Sequence, residues 1–124
     1  YGWPVSSYGK HYSKKTSYKQ YPLHKSHKKY GFIEPLKFFT PGIGISEVIG
    51  IDLPNKIYAV SSMTNHGLFF IRLNDNDKIK KIARVSVNDR VRDMMLFDNN
   101  LYLFLEETGS IGVININNLK FQGV

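Results

Sequence analysis

From Gly31 onward, short apolar runs recur about every ten residues between turn signals, and this spacing limits the possible folds more than any other feature. The runs are FIEPLKFF (32–39), ISEVIGI (45–51), KIYAVSSM (56–63), GLFFIRL (67–73), KIKKIARVSV (78–87), RVRDMMLF (90–97), LYLFLEE (101–107) and SIGVINI (110–116). Between them stand TPGIG, DLPN, TNH, NDND, DNN and TG, the Asn, Asp, Gly and Pro punctuation of tight turns. Each run has the length and the β-branched and aromatic content of one strand, and none has helical length or period. Strands joined by turns this short pair antiparallel. The class is all-β.

A sandwich or closed barrel would need these strands to be self-sufficient. A propeller blade needs only four antiparallel strands, packed on neighbouring blades around a channel. The runs group that way. The first is the outer strand of a preceding blade, the next four make one whole blade, and the last three make a blade lacking its outer strand. As written, the chain leaves unpaired edges and an uncovered face, which favours a propeller fragment over an isolated domain.

Residues 1–30 differ in kind. They hold seven lysines, six of the eight tyrosines and three of the four histidines, with no Asp or Glu and no apolar period. Residues 31–124 hold ten Lys and Arg against ten Asp and Glu, so the net charge of +7 belongs to the first segment alone. It reads as a long basic loop within the propeller, with some order around Trp3 and Pro4; a loop of this length is usually functional or mobile. Basic residues interleaved with aromatics can track phosphates and stack bases, but a solvated loop is the simpler reading. A third possibility is steering of a substrate or an acidic partner at the channel mouth. His24 and His27, with His11 upstream, fall short of the three or four preorganised ligands of a metal site, and the lysines around them repel a cation. The chain has no cysteine, which excludes disulfides and thiolate metal sites, and no stretch near the roughly 20 apolar residues of a membrane span. It opens on YGWPVSSYG without an initiator methionine and reads as part of a longer polypeptide.

Arg90 and Arg92 stand two apart in the run RVRDMMLF, and alternate residues of a strand share a face. From the pattern alone the pair is better read as bonded to Asp89 or Asp93, or solvated at a rim. Asp93 positions one of the arginines or caps a turn. Met94, Met95 and Phe97 read as core. Glu106 and Glu107 could suggest paired-carboxylate chemistry, but neighbours on a strand face opposite ways and a hairpin end is simpler.

YGWPVSSYGKHYS, EPLKFFTPGIGISEVIGI, KIYAVSSM with GLFFIRL, and DRVRDMMLFDNNLYLFLEETGSIGVI together resemble, in order, the C-terminal part of the glucose/sorbosone dehydrogenase family. These are soluble aldose sugar dehydrogenases that use pyrroloquinoline quinone (PQQ). The resemblance implies a six-bladed propeller of which this chain supplies about the last two blades. It also implies PQQ and calcium as cofactors, a sugar substrate, a separate electron acceptor, and a periplasmic or other extracytoplasmic location. It turns the reading of Arg90 and Arg92 toward the channel, where the family's R-x-R pair contacts the cofactor. Phe39, Gly42 and Asn65 fall at further cofactor-contacting positions, and each departs from the pattern. Phe39 replaces a Trp, Gly42 a hydroxyl residue, and Asn65 with His66 stands where one branch has a Lys. The family's general base and most calcium ligands belong to earlier blades, so this chain alone is not catalytic. A propeller of the same fold that has lost its cofactor and works as a binding or scaffold module is the alternative; nucleic-acid binding through the basic loop ranks third.

Overall fold

The computed structural model describes residues 2, 5–11 and 23–119. They divide into two compact units, Tyr1–Gly42 and Ile43–Val124. The division falls twelve residues beyond the change of composition after residue 30, because the run 32–39 forms no strand. A strand exists only by pairing, Pro35 offers no N–H to a ladder, and no described segment pairs with this run.

The second unit carries seven strands: β1 (Ile45–Asp52), β2 (Ile57–Ser62), β3 (Gly67–Leu73), β4 (Ile79–Ser86), β5 (Val91–Phe97), β6 (Asn100–Leu105) and β7 (Ser110–Asn115). They form two antiparallel sheets in sequence order, β1-β2-β3-β4 and β5-β6-β7. The turn residues explain the short connections. Lys56, His66 and Gly109 close four-residue turns in the left-handed region, while Asp98 and Asn99 both have positive φ in a two-residue hairpin turn between β5 and β6. That geometry favours Asn, Asp and Gly, and its twist matches the strands it joins.

Between the sheets lies one core. Ile51, Ile57, Ala59, Leu68 and Phe70 from the four-stranded sheet meet Val91, Met94, Leu101 and Leu103 from the other. The alternation 57/59, 68/70 and 101/103 is the two-residue period of one buried face. In β5 the buried residues are instead three apart, Val91 and Met94. Val91 pairs with Leu105 and Asp93 with Phe104, so Arg92 is an extra residue, a β-bulge. β1 has a matching irregularity between Ile45 and Val48. There Ser61, fully buried, accepts from the Glu47 amide and shares a 2.6 Å hydrogen bond with Ser46, whose hydroxyl donates to the Val91 carbonyl at 2.5 Å. The first strands of the two sheets are thus joined directly.

Met95 and Phe97, read from the sequence as core, are exposed on the outer face of the three-stranded sheet with Phe104, Ile111 and Val113. The bulge moves them there by shifting the alternation after Arg92. The edges differ in charge. β4 carries Lys80, Lys81 and Arg84 on exposed positions, while β7, reading SIGVIN, carries none.

The first unit is a knot of short hydrogen bonds. Ser6, fully buried, bonds His27 Nδ1 at 2.5 Å, and the chain pairs Ser6 with His24. Gly2 (φ +86°) lies so close that a Cβ would run into both His27 and Ser6. Glu34 accepts from the Lys28 amide (2.8 Å), the Tyr8 hydroxyl (2.8 Å) and Ser26 (3.1 Å), and Tyr8 stacks on Phe38 with 3.9 Å between ring centres. These bonds favour the ionised carboxylate: the Lys28 amide first, then Tyr8, hold Glu34 below the usual range. Part of the basic segment is therefore ordered. Trp3, Pro4 and the run 12–22 lie outside the described residues.

Leu101 is fully buried at the centre of the core. Leu101→Ala should cost about 2–5 kcal/mol and Leu101→Met less than about 1.5, measured by denaturant unfolding of the full protein.

Candidate functional site: an arginine pair at one end of the sheets

Arg90 immediately precedes β5, and its carbonyl accepts from the Glu106 amide at 3.0 Å, so the two residues stand directly opposite. Arg92 occupies the bulge. Both guanidiniums approach the same oxygen: Arg90 Nε lies 3.6 Å and Arg92 Nη1 3.9 Å from Glu106 Oε2. The expected partners of the arginine side chains, Asp89 and Asp93, are engaged elsewhere. Asp93 accepts from the Met94 amide. Asp89 takes the backbone amide of Arg90, not its guanidinium.

Neither contact to Glu106 is within hydrogen-bond reach, so the arginines keep donors to spare. Arg92 Nη1 donates to the Met63 sulfur at 3.3 Å, a weak acceptor. Arg90 Nε is buried and has no hydrogen-bond partner. A buried donor left unmade is costly, and such an atom calls for an explanation. The side chains as wholes remain open to solvent, 38% exposed for Arg90 and 63% for Arg92.

Asp89 holds this end together. It is 2% exposed and accepts from Thr108 Oγ1 (2.7 Å), the amides of Glu107 (2.9 Å) and Thr108 (3.2 Å), and the Arg90 amide (2.6 Å). The Thr108 hydroxyl, then these amides, hold its carboxyl below the usual range, because every donor favours the charged form. Asp89 thereby locks the start of β5 to the turn carrying Glu106 and Glu107. Those two carboxylates do face opposite ways, Glu106 to the arginines and Glu107 to His66 Nε2 at 3.6 Å. Sequence reading placed them correctly at a hairpin end but missed Glu106 as the arginines' partner, and it gave Asp89 a guanidinium as partner where the structure gives it Thr108 and backbone amides. The side-chain partners are fourteen to nineteen residues away, a distance no short-range pattern encodes.

Asn65 stands on the adjoining β2–β3 turn, bonded to Arg84 through both its side-chain oxygen (2.5 Å) and its carbonyl (2.7 Å). Phe39 and Gly42 belong to the first unit. Of the five positions singled out in the sequence, Arg90 and Arg92 are brought onto one carboxylate, and Asn65 is committed to a third arginine. His24 and His27 have separate ring partners, Tyr30 and Tyr8. Among the described residues no three His, Asp or Glu side chains converge as a metal site. A cleft of about 640 Å³ opens at the other end of the sheets, lined by Gly50, Asp52, Leu53, Leu96, Asn99 and Leu119. Its lining includes one carboxylate and no cation.

Asp89→Asn should lower the melting temperature at pH 7. With its pKa lower folded than unfolded, Asp89 contributes stability that is present above about pH 4 and lost as pH falls through the folded value. The gap in melting temperature between wild type and variant should therefore close on acidification, as thermal unfolding across pH would show.

Comparison with known proteins adds the family. The chain is 28% identical over 114 residues to an uncharacterized protein of Synechocystis sp., an alignment covering 86% of this chain and 26% of that protein. The chain thus spans about a quarter of the length of this curated relative. No solved structure matches it significantly. Residues 1–113 match the family described as Glucose / Sorbosone dehydrogenase. The two antiparallel sheets are those of a β-propeller fragment, and the chain belongs to the glucose/sorbosone dehydrogenase family.

Proposed function

We propose that this chain forms about the last two blades of a six-bladed propeller that oxidises a sugar at its C1 hydroxyl, with Arg90 and Arg92 holding the carboxylates of PQQ. The observation that carries the reading is the convergence of two guanidiniums with unspent donors, one of them the buried and unpartnered Arg90 Nε. The donor set fits the group: PQQ is a planar tricarboxylate, and forked guanidiniums bind carboxylates bidentately. When bound, PQQ supplies the hydride acceptor, with calcium polarising its quinone.

This chain's own residues bind and orient. Arg90 is set by the Glu106 amide on its carbonyl and by Asp89 on its amide, so its guanidinium approaches from a fixed backbone. Arg92 is aimed by the bulge, and preorganised cations of this kind lose little on binding an anion. The base that would take the proton of the sugar hydroxyl, and most calcium ligands, would come from other parts of the propeller. The family also suggests a location outside the cytoplasm and a separate electron acceptor; among the described residues no helix is long and apolar enough to cross a membrane.

A second reading, a cofactor-less binding module, is favoured by one observation. Asn65, where one branch of the family has a cofactor-contacting Lys, spends its side-chain oxygen and its carbonyl on Arg84. PQQ binding by the full-length protein in calcium separates the readings. Arg90→Ala and Arg92→Ala should each weaken it roughly 10- to 150-fold, the 1.5–3 kcal/mol of a charge-assisted hydrogen bond. Absence of PQQ binding by wild type would leave the module reading.

A further inference from the structure

We infer that Glu106 is the specificity-determining residue of the arginine pair, a built-in counter-ion that reserves the site for ligands with more than one carboxylate. The inference deepens the reading of Arg90 and Arg92 as an anion clamp and rests on it. Three observations carry it. Glu106 Oε2 is shared by both guanidiniums, at 3.6 and 3.9 Å, close enough to neutralise charge and too far to use up their donors. Its backbone is fixed, by its own amide on the Arg90 carbonyl and by Asp89 on the next two amides, so the carboxylate stays near the pair. Its side chain is 43% exposed, so the carboxylate has room to swing aside.

The consequence is an exchange. A ligand with one carboxylate that displaces Glu106 substitutes one negative charge for another and gains little. A ligand with two or three can engage Arg90 Nε and Arg92 together and still offset the loss of Glu106. The neighbouring charges leave this balance local: Glu107 faces His66, Arg84 is bonded to Asn65, and Asp89 is spent on Thr108 and on the amides around it. Glu106 thus acts against a partner that lacks the right charge pattern, which is how binding sites gain discrimination at some cost in affinity.

The test compares benzene-1,3,5-tricarboxylate, benzoate and PQQ as ligands of the full-length protein at one low ionic strength, by calorimetry. Wild type should bind the tricarboxylate at least about 10-fold more tightly than benzoate. Glu106→Gln, which keeps the shape and removes the charge, should bind both more tightly, benzoate gaining more, so that the ratio falls by about 5-fold or more. Glu106→Asp should restore discrimination. A ratio unchanged in Glu106→Gln, or weaker binding of both ligands, overturns the inference and makes Glu106 a mere support for the arginines. Discrimination that depends on Glu106 in a protein that does not bind PQQ sustains it while sinking the cofactor reading. Absence of carboxylate binding in both proteins overturns both.

Discussion

Asp89 is the carboxylate on which the arginine end of this molecule depends. It is buried, charged, and surrounded by four donors from two segments that are distant in sequence. A buried anion without partners would be strongly unfavourable, and here the partners are one hydroxyl and three backbone amides, two of them in the β6–β7 turn. One side chain satisfies both needs and fixes where Arg90 begins and where Glu106 stands. The placement of the arginine pair and its counter-ion follows from that junction.

The bulges act on the same end. β1 and β5 each break register near their first residues, and the two breaks are linked through Ser46 to the Val91 carbonyl. In a regular β5, two arginines two apart would share a face. The inserted Arg92 alters the alternation after it, which is why Val91 and Met94 can both be buried while Met95 and Phe97 turn outward. The convergence of the arginines thus comes from direct opposition of Arg90 to Glu106 and from the bulge, with simple strand alternation contributing less than the sequence suggests.

The seven strands were legible because every hairpin turn carries its own chemistry. Asp98 and Asn99 mark a turn with two positive φ values, and Gly109 marks another. The eighth run, 32–39, has the composition of a strand, but composition cannot supply a partner, and Pro35 lacks an amide hydrogen for a ladder. At the site, the arginines were visible as a pair, while Glu106 as their partner and Thr108 as the partner of Asp89 were not. Which residue lies across from Arg90 is decided by register, and register depends on the whole hairpin. Asp89 was expected beside a guanidinium, since nothing local distinguishes a carboxylate that pairs with a neighbouring arginine from one that reaches a turn on the next hairpin.

Two of the sheet edges, β4 and β7, have opposite characters. A row of positive charges along β4 repels any approaching chain, a common guard against unwanted pairing. Among the described residues no strand pairs with the outer edge of β7, where Ile111 and Val113 are exposed and no side chain is charged. The two edges thus differ in what they present to a neighbouring strand: charge at β4, apolar surface at β7. A strand laid along β7 would meet apolar side chains, whereas one laid along β4 would meet cations.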